Sequence, residues 1–484
     1  MKGDSIMPIS LFWLLITMLL TFPTTLGTLD NFPIQLKHES LENTDSIHKT
    51  ATIADSHIDT MMNVLNESTW LPEVDIGENT SLHADIPKLE EGGINVGFFA
   101  AFTEGYYDNN PRSISRTLAL IHALYWMEEN NQDHFQIAKT TFDIWKTIKA
   151  GKIAAVPTIE GAYSLEEHNA IELLHQYYDL GIKAIGFNWN YSNALGEGAN
   201  KIYGDPARTP SNGGLTKLGA QVATEMNKLG MVIDVSHMSE NTFWDVLEVT
   251  NAPIMATHSG VKALRNHQRN LTDEQLIALA ENGGVVGIVF YPVFLTDKPS
   301  AYVTDIVDHI DYAVNLIGID HVALGSDFDG SDMPSDLQDA TELYKITDEL
   351  QNRGYSDEEI EKILGKNTLR LLLEVEKAAT SNPYAKGLDF EINPEYRMGE
   401  MIEETTPTLE ATIDGPANTI ETLDFRVIVD GVAYEPEYDN NSATLSFKLT
   451  EPLTEHFHVV TFEAADKDGT VQRATRIFYL NKEA

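Results

Sequence analysis

Eight short apolar runs recur between residues 51 and 327, and segments with apolar residues at helical spacing separate them. They are Ala51–His57, Ile94–Phe102, Ile153–Glu160, Ala184–Trp189, Met231–His237, Pro253–His258, Gly284–Phe290 and His321–Asp327. A strand that returns parallel to its predecessor needs a long crossover, so this alternation predicts a parallel sheet covered by helices. Eight units predict closure into a (β/α)8 TIM-like barrel. An open doubly wound sheet is the alternative, but no glycine-rich phosphate loop follows the first run. Several crossovers carry helix signals. Ser164 with Glu167, Thr272 with Gln275 and Ser356 with Glu359 each read as a capping box. Gly181 reads as the stop after AIELLHQYYDL.

The pattern changes near Ala379. Residues 379–405, rich in Glu, Thr, Asn and Pro, read as a linker or a wrapping segment after a barrel over residues 28–378. Residues 406–484 hold four alternating apolar–polar runs, with Asp430-Gly431 and Asp468-Gly469 as turn signals. That predicts a small antiparallel β-sandwich, Ig-like, with no chemistry assigned to it. At the other end, Lys2 precedes the stretch Ile9–Gly27. Its apolar run of about 14 residues suits a signal-peptide core better than a membrane span. Residues 1–27 are therefore read as a leader, and the protein as secreted, with no stable membrane insertion after cleavage. An uncleaved anchor is the alternative.

Seventy-four acidic residues against 33 basic ones give a formal charge of −41. Such a surface repels phosphate backbones and anionic lipid, so nucleic-acid partners are excluded and a small-molecule substrate is expected. The chain has no cysteine. Disulfides, thiolate metal sites and cysteine nucleophiles are therefore ruled out, and any metal must be held by His, Asp or Glu.

Residues of that kind collect where the runs end. His57 and Asp59, two apart on an extended chain, point the same way. Glu160 ends its run, His237 and His258 end neighbouring runs, and Asp327 and Asp329 close ALGSDFDG. Each alone fits a blander role: a core histidine, a helix cap, an aspartate turn. Together they would meet at the carboxyl edge of one barrel, where catalytic groups of such folds lie. A carboxylate between two metal ions would leave room for a bridging water, acidified toward hydroxide. The implied chemistry is hydrolysis, with a nearby acid to move protons.

The motifs DSHIDT, IEGAYSL, IDVSHMS, MATHSG, RNLTDEQL, LGSDFDG and GKNTLRLL, spanning about Ile53 to Leu373, resemble the membrane dipeptidases, the renal dipeptidase-like zinc metallopeptidases. The resemblance implies two Zn2+ per chain in a (β/α)8 barrel, with His57 and Asp59 on one ion, His237 and His258 on the other, and Glu160 bridging. It implies Asp327 as the proton-transfer residue and Arg269 as the group that binds the substrate's terminal carboxylate. Substrates would be dipeptides with a free carboxyl end, and a homodimer stays open. There is one departure: GFNWNYSNALGEG, Gly186–Gly198, lacks the histidine that many relatives carry there. Trp189 or Asn190 stands in its place, Asn190 being the one able to donate to substrate. Two other readings stay open. One is another amidohydrolase-type barrel acting on a cyclic amide, lactone or phosphoester, which commonly bridges its metals with a carbamoylated lysine. The other is a surface-binding protein with a relic barrel.

Overall fold

A parallel strand buried on both faces needs a nearly continuous apolar run, and the chain supplies eight of them. The computed structural model describes residues 46–103, 110–199, 213–380, 390–416, 420, 423–467 and 470–481. The expected leader at residues 1–27 and the Asp468-Gly469 turn lie outside them. The strands are β1 (Ile53–Ile58), β2 (Ile94–Phe102), β3 (Phe135–Ile137), β4 (Ile153–Glu160), β5 (Ala184–Gly186), β6 (Val232–Asp234), β7 (Met255–Ser259), β8 (Val285–Ile288) and β9 (Val322–Leu324). All of these except β3 form a closed parallel ring in the order β1-β2-β4-β5-β6-β7-β8-β9. Closure is made where Val96 to Phe102 run beside Ala154 to Glu160, and where Asp55 meets Leu324. The eight predicted runs are the eight ring strands. β3 is additional, and pairs with the first half of β4.

Two of the three predicted capping boxes are present, at Thr272/Gln275 and Ser356/Glu359. The third is corrected. The helix Ala170–Asp179 starts after Asn169, and Ser164 instead accepts a hydrogen bond from Tyr177 Oη at 2.9 Å. Ser164 is buried too far upstream to cap that turn. Near the barrel centre the strands approach closely. A Cβ on Gly287 or on Gly325 would collide with the Thr257 carbonyl, so neither position admits a side chain.

The C-terminal region forms two sheets. β10 (Glu391–Pro394), β12 (Thr408–Asp414), β16 (Thr444–Lys448) and β15 (Glu437–Asp439) make one; β11 (Glu400–Ile402), β18 (Val471–Leu480), β17 (Phe457–Ala465), β13 (Asp424–Val429) and β14 (Val432–Tyr434) make the other. Leu409, Ala411 and Leu445 of the first pack against Val427, Phe462 and Phe478 of the second. Two details differ from the sequence reading. β10 and β11 fall inside the stretch read as a linker, and β11 runs parallel to β18 in an otherwise antiparallel sandwich. Both strands are only four and three residues long, too short for alternation to show. Asp430 (φ 50°) and Gly431 (φ 82°) form the predicted two-residue hairpin turn.

The sandwich is docked on the barrel. Phe457, Val459 and Ile477 share one apolar core with the barrel helices. Buried Gln176 donates to Ile428 O (3.1 Å) and Thr461 Oγ1 (3.0 Å), and accepts from Gly431 N (2.7 Å). Among the described residues no helix is long and apolar enough to cross a membrane.

His122, on the helix Asn110–Asn130, is buried in this seam against Phe457 (5.6 Å) and Tyr479 (6.1 Å). Burial lowers its imidazole to about 4. An unfolded histidine near 6.5 would protonate first, so the stability is intact above pH 6.5 and is lost as pH falls toward 4. At pH 5 the loss is about 2 kcal/mol. Urea unfolding of wild type and His122→Gln should therefore show the wild type losing about 2 kcal/mol more than the variant between pH 7 and 5.

Candidate metal centre

The carboxyl edge of the ring gathers the predicted residues in one buried cluster. His57 is in β1, and Asp59 follows its end, its N–H on Phe328 O at 2.9 Å. Glu160 is the last residue of β4, and Gly161 (φ 86°) turns the chain away immediately afterwards. His237 lies in the turn after β6, and His258 lies in β7. Asp327 follows β9 with φ 65°, and Asp329 has φ 66°, left-handed conformations that cost non-glycine residues energy and cluster at functional sites. Gly330 passes beside them, where a Cβ would collide with the Asp59 carboxylate.

The Glu160 carboxylate divides the cluster. Its Oε2 lies 3.3 Å from His57 Nε2, whereas Oε1 lies 2.7 Å from His237 Nε2 and 3.5 Å from His258 Nε2. Asp59 Oδ2 is 3.3 Å from His57 Nε2. Among the described residues, three groups of donors could each close on one ion: His57/Asp59/Asp327, Glu160/His237/His258 and His57/Asp234/His258. The first two use the faces that Glu160 joins.

Donor chemistry fits a divalent metal. Asn190 Oδ1 accepts from His237 Nδ1 (3.0 Å), and Thr257 Oγ1 lies 2.9 Å from His258 Nδ1. With both Nδ1 atoms engaged, the two Nε2 atoms present lone pairs only 3.0 Å apart. Such lone pairs repel unless a cation or a proton sits between them. Asp59 Oδ1 is buried without a hydrogen-bond partner, which a buried carboxylate oxygen tolerates poorly without a cation.

Protonation follows the same split. Burial and then the nearby Arg269 charge lower His237 to about 4, and burial and His57 lower His258 well below its ordinary value. Burial opposes charge on His57 too, but Asp59 and Glu160 overcome it and raise its imidazole well above the usual range. Glu160 resists burial through His57 and His237 and stays well below it. Asp327 is pushed well up, by burial first and by the Asp59 carboxylate second. Asp59 is raised as well, by burial first, so the two neighbouring carboxyls are pushed in the same direction.

Above the cluster opens a pocket of about 430 Å³, walled by Phe102, Trp189, Tyr291 and Phe294, with Arg269 and Asn190 also facing it. Arg269 is 2 % exposed. Its guanidinium donates to Ser236 O and to His258 O (3.1 Å), 5.3 Å from the Phe294 ring. Asn190 lines the pocket, but its carbonyl oxygen is committed to His237. That contact orients His237, a part the sequence reading did not give Asn190, and it uses the oxygen and not the NH2 group. Asp234 and Asp55 were missed as well. Asp234 accepts from Ser236 and Thr257, and Asp55 from His57 N (3.1 Å) and Ser326 N (2.9 Å). Their signal was available: a charged residue inside an apolar strand run. The buried Lys183 sits at the other end of β5, paired with Glu376 at 3.0 Å, so it is not the bridging group of a carbamoylated-lysine site.

The sequence matches the membrane dipeptidase family (peptidase family M19) over residues 41–386. Dipeptidase tcpJ of Claviceps purpurea is 34% identical over 320 residues, covering 63% of this chain and 72% of its own. An uncharacterised dipeptidase of Schizosaccharomyces pombe is 33% identical over 350 residues, covering 69% and 82%. Among solved structures, a metallopeptidase of Rhodobacter sphaeroides liganded with a phosphinate mimic of the dipeptide L-Ala-D-Ala superposes with TM-score 0.59. It is 27% identical and covers 67% of this chain and 99% of its own.

If Glu160 joins two ions, removing its carboxylate should weaken both halves. Elemental analysis of purified protein should find about two metal ions per chain in wild type and fewer in Glu160→Ala; equal content would remove Glu160 from the bridge.

Proposed function

The chain belongs to the membrane dipeptidase family, and on that premise we propose that it is a secreted dinuclear zinc dipeptidase that hydrolyses dipeptides bearing a free C-terminal carboxylate. The observation that carries this reading is the Glu160 carboxylate, with one oxygen toward His57 and the other toward His237 and His258. His57 and Asp59 would hold one zinc, His237 and His258 the second, with Glu160 shared. When bound, the pair would supply Lewis acidity, to acidify water toward neutral pH and to polarise the scissile carbonyl. The phosphinate mimic of L-Ala-D-Ala in the Rhodobacter relative supports the substrate class and a D-residue at the carboxyl end. Secretion rests on the apolar run Ile9–Gly27.

The chain's own residues divide the remaining work. Arg269 binds the terminal carboxylate: its guanidinium is planar, permanently charged and anchored on two backbone carbonyls, so little freedom is lost on binding. Asp327 carries a proton at the cluster and passes it to the leaving nitrogen. Phe102, Trp189, Tyr291 and Phe294 shield the polar floor from bulk water, which strengthens every charge interaction there. Asn190, through His237, keeps the site's geometry. Among the described residues, the only imidazoles lining the pocket are those of His237 and His258; Trp189 stands in the stretch Gly186–Gly198, 5.3 Å from Phe102 and 6.3 Å from His237.

The test is an assay of zinc-loaded protein on dipeptides, their C-terminal amides and lactones. Dipeptides should turn over, chelation should abolish the activity and zinc should restore it. A charge-assisted pair makes the free acid about 100-fold better than the amide in kcat/KM, and Arg269→Met should erase most of that preference. Lactone turnover without dipeptide turnover would overturn the reading.

A further inference from the structure

We propose that Thr257 is a positioning residue whose single hydroxyl orients histidines from both halves of the metal site. Thr257 Oγ1 lies 2.9 Å from His258 Nδ1 and 3.5 Å from His57 Nδ1, and donates to Asp234 Oδ2 at 2.7 Å. A hydroxyl has one proton and two lone pairs. The proton goes to Asp234, which leaves one lone pair for each imidazole N–H. Both rings are thereby set in the tautomer that turns Nε2 toward Glu160, although His57 and His258 serve different ions. The rings also lie against each other, centroids 3.7 Å apart, so a shift in one is felt by the other.

The hydroxyl is held from every side. Asp234 Oδ1 accepts from Ser236 N (3.0 Å), Ser236 Oγ (2.6 Å) and Thr257 N (3.0 Å), which fixes the carboxylate. The Thr257 carbonyl accepts from Ser56 Oγ at 2.6 Å, and Gly287 and Gly325 press against it without side chains. The residue sits between β6, β1, β8 and β9 and cannot drift toward one histidine alone. The third donor group, His57/Asp234/His258, is therefore already served: this hydroxyl lies within 3.5 Å of all three residues.

This inference rests on the two-zinc reading above and goes beyond it by predicting coupled loss. Outer-layer partners of metal-bound histidines are worth about 10–100-fold in metal affinity. Zinc titration against a chromophoric chelator, on the full chain, gives a Kd for each ion. Thr257→Val should weaken both ions by about 10–100-fold, and Thr257→Ser, which restores the hydroxyl, should recover both. Asp234→Asn keeps the side-chain shape and should also weaken both, so it carries the test if Thr257→Val does not fold. The visible spectrum of the Co2+-loaded variants should change at both sites. Two unchanged affinities, or loss confined to one ion, would overturn the proposal. A wild type that binds fewer than two zinc ions would overturn the two-zinc reading instead.

Discussion

The structure depends on one carboxylate being shared. Glu160 reaches His57 from β1 with one oxygen and His237 and His258, from the β6 turn and β7, with the other. A closed ring is what makes this possible: strands far apart in sequence become near neighbours across one mouth. The same gathering is costly on its own. Three imidazoles and the carboxylates of Asp59, Glu160 and Asp327 lie almost wholly out of water, and buried charges need partners. The strain shows in the acid–base properties: burial and Asp59 raise Asp327, Asp59 and Glu160 raise His57 against its burial, and burial lowers His237 and His258. Stability and chemistry thus pull on the same atoms, and a bound cation satisfies both.

Much of this was legible in the sequence, for identifiable reasons. Ring strands buried on both faces show as apolar runs, and their ends can be counted without knowing their pairing. That placed His57, Glu160, His237, His258 and Asp327 together. Asn190 has a second part that sequence did not show, because sequence gives a residue's neighbourhood and not the direction of its amide: its oxygen faces His237. The second layer escaped for a related reason. The charge of Asp234 inside an apolar run marks it in the sequence, but its partner does not show there: the β6–β7 pairing sets Asp234 opposite Met255, two residues before Thr257. Ser164 failed as a cap because Tyr177, thirteen residues on, takes its hydroxyl, a tertiary choice that local pattern does not contain.

The sandwich changes meaning once its docking is seen. Read as a tethered module behind a linker, it could be removed without consequence. In the structure, Phe457 and Ile477 complete the apolar cover of barrel helices, and Arg426 pairs with Glu172 at 2.7 Å across the seam. Deep apolar burial of this kind resembles a domain core more than a transient contact. The sandwich braces the helices Asn110–Asn130 and Ala170–Asp179. These follow β2 and precede β5, the strands on either side of β4, which carries Glu160.

The acidic surface bears on the same site from outside. A formal charge of −41 raises a repulsive field against anions, and the mouth adds Asp329 and Asp332 at its rim. A free dipeptide is a zwitterion with no net charge, so that field neither draws it in nor turns it away. On the function proposed above, Arg269 and the bound dications would reverse the local sign inside and select the carboxylate end. Net-anionic compounds such as phosphoesters meet the outer field before they reach that floor. On that reading, the charge of the whole chain and the chemistry of its mouth favour the same class of substrate: small, carboxylate-bearing and overall neutral.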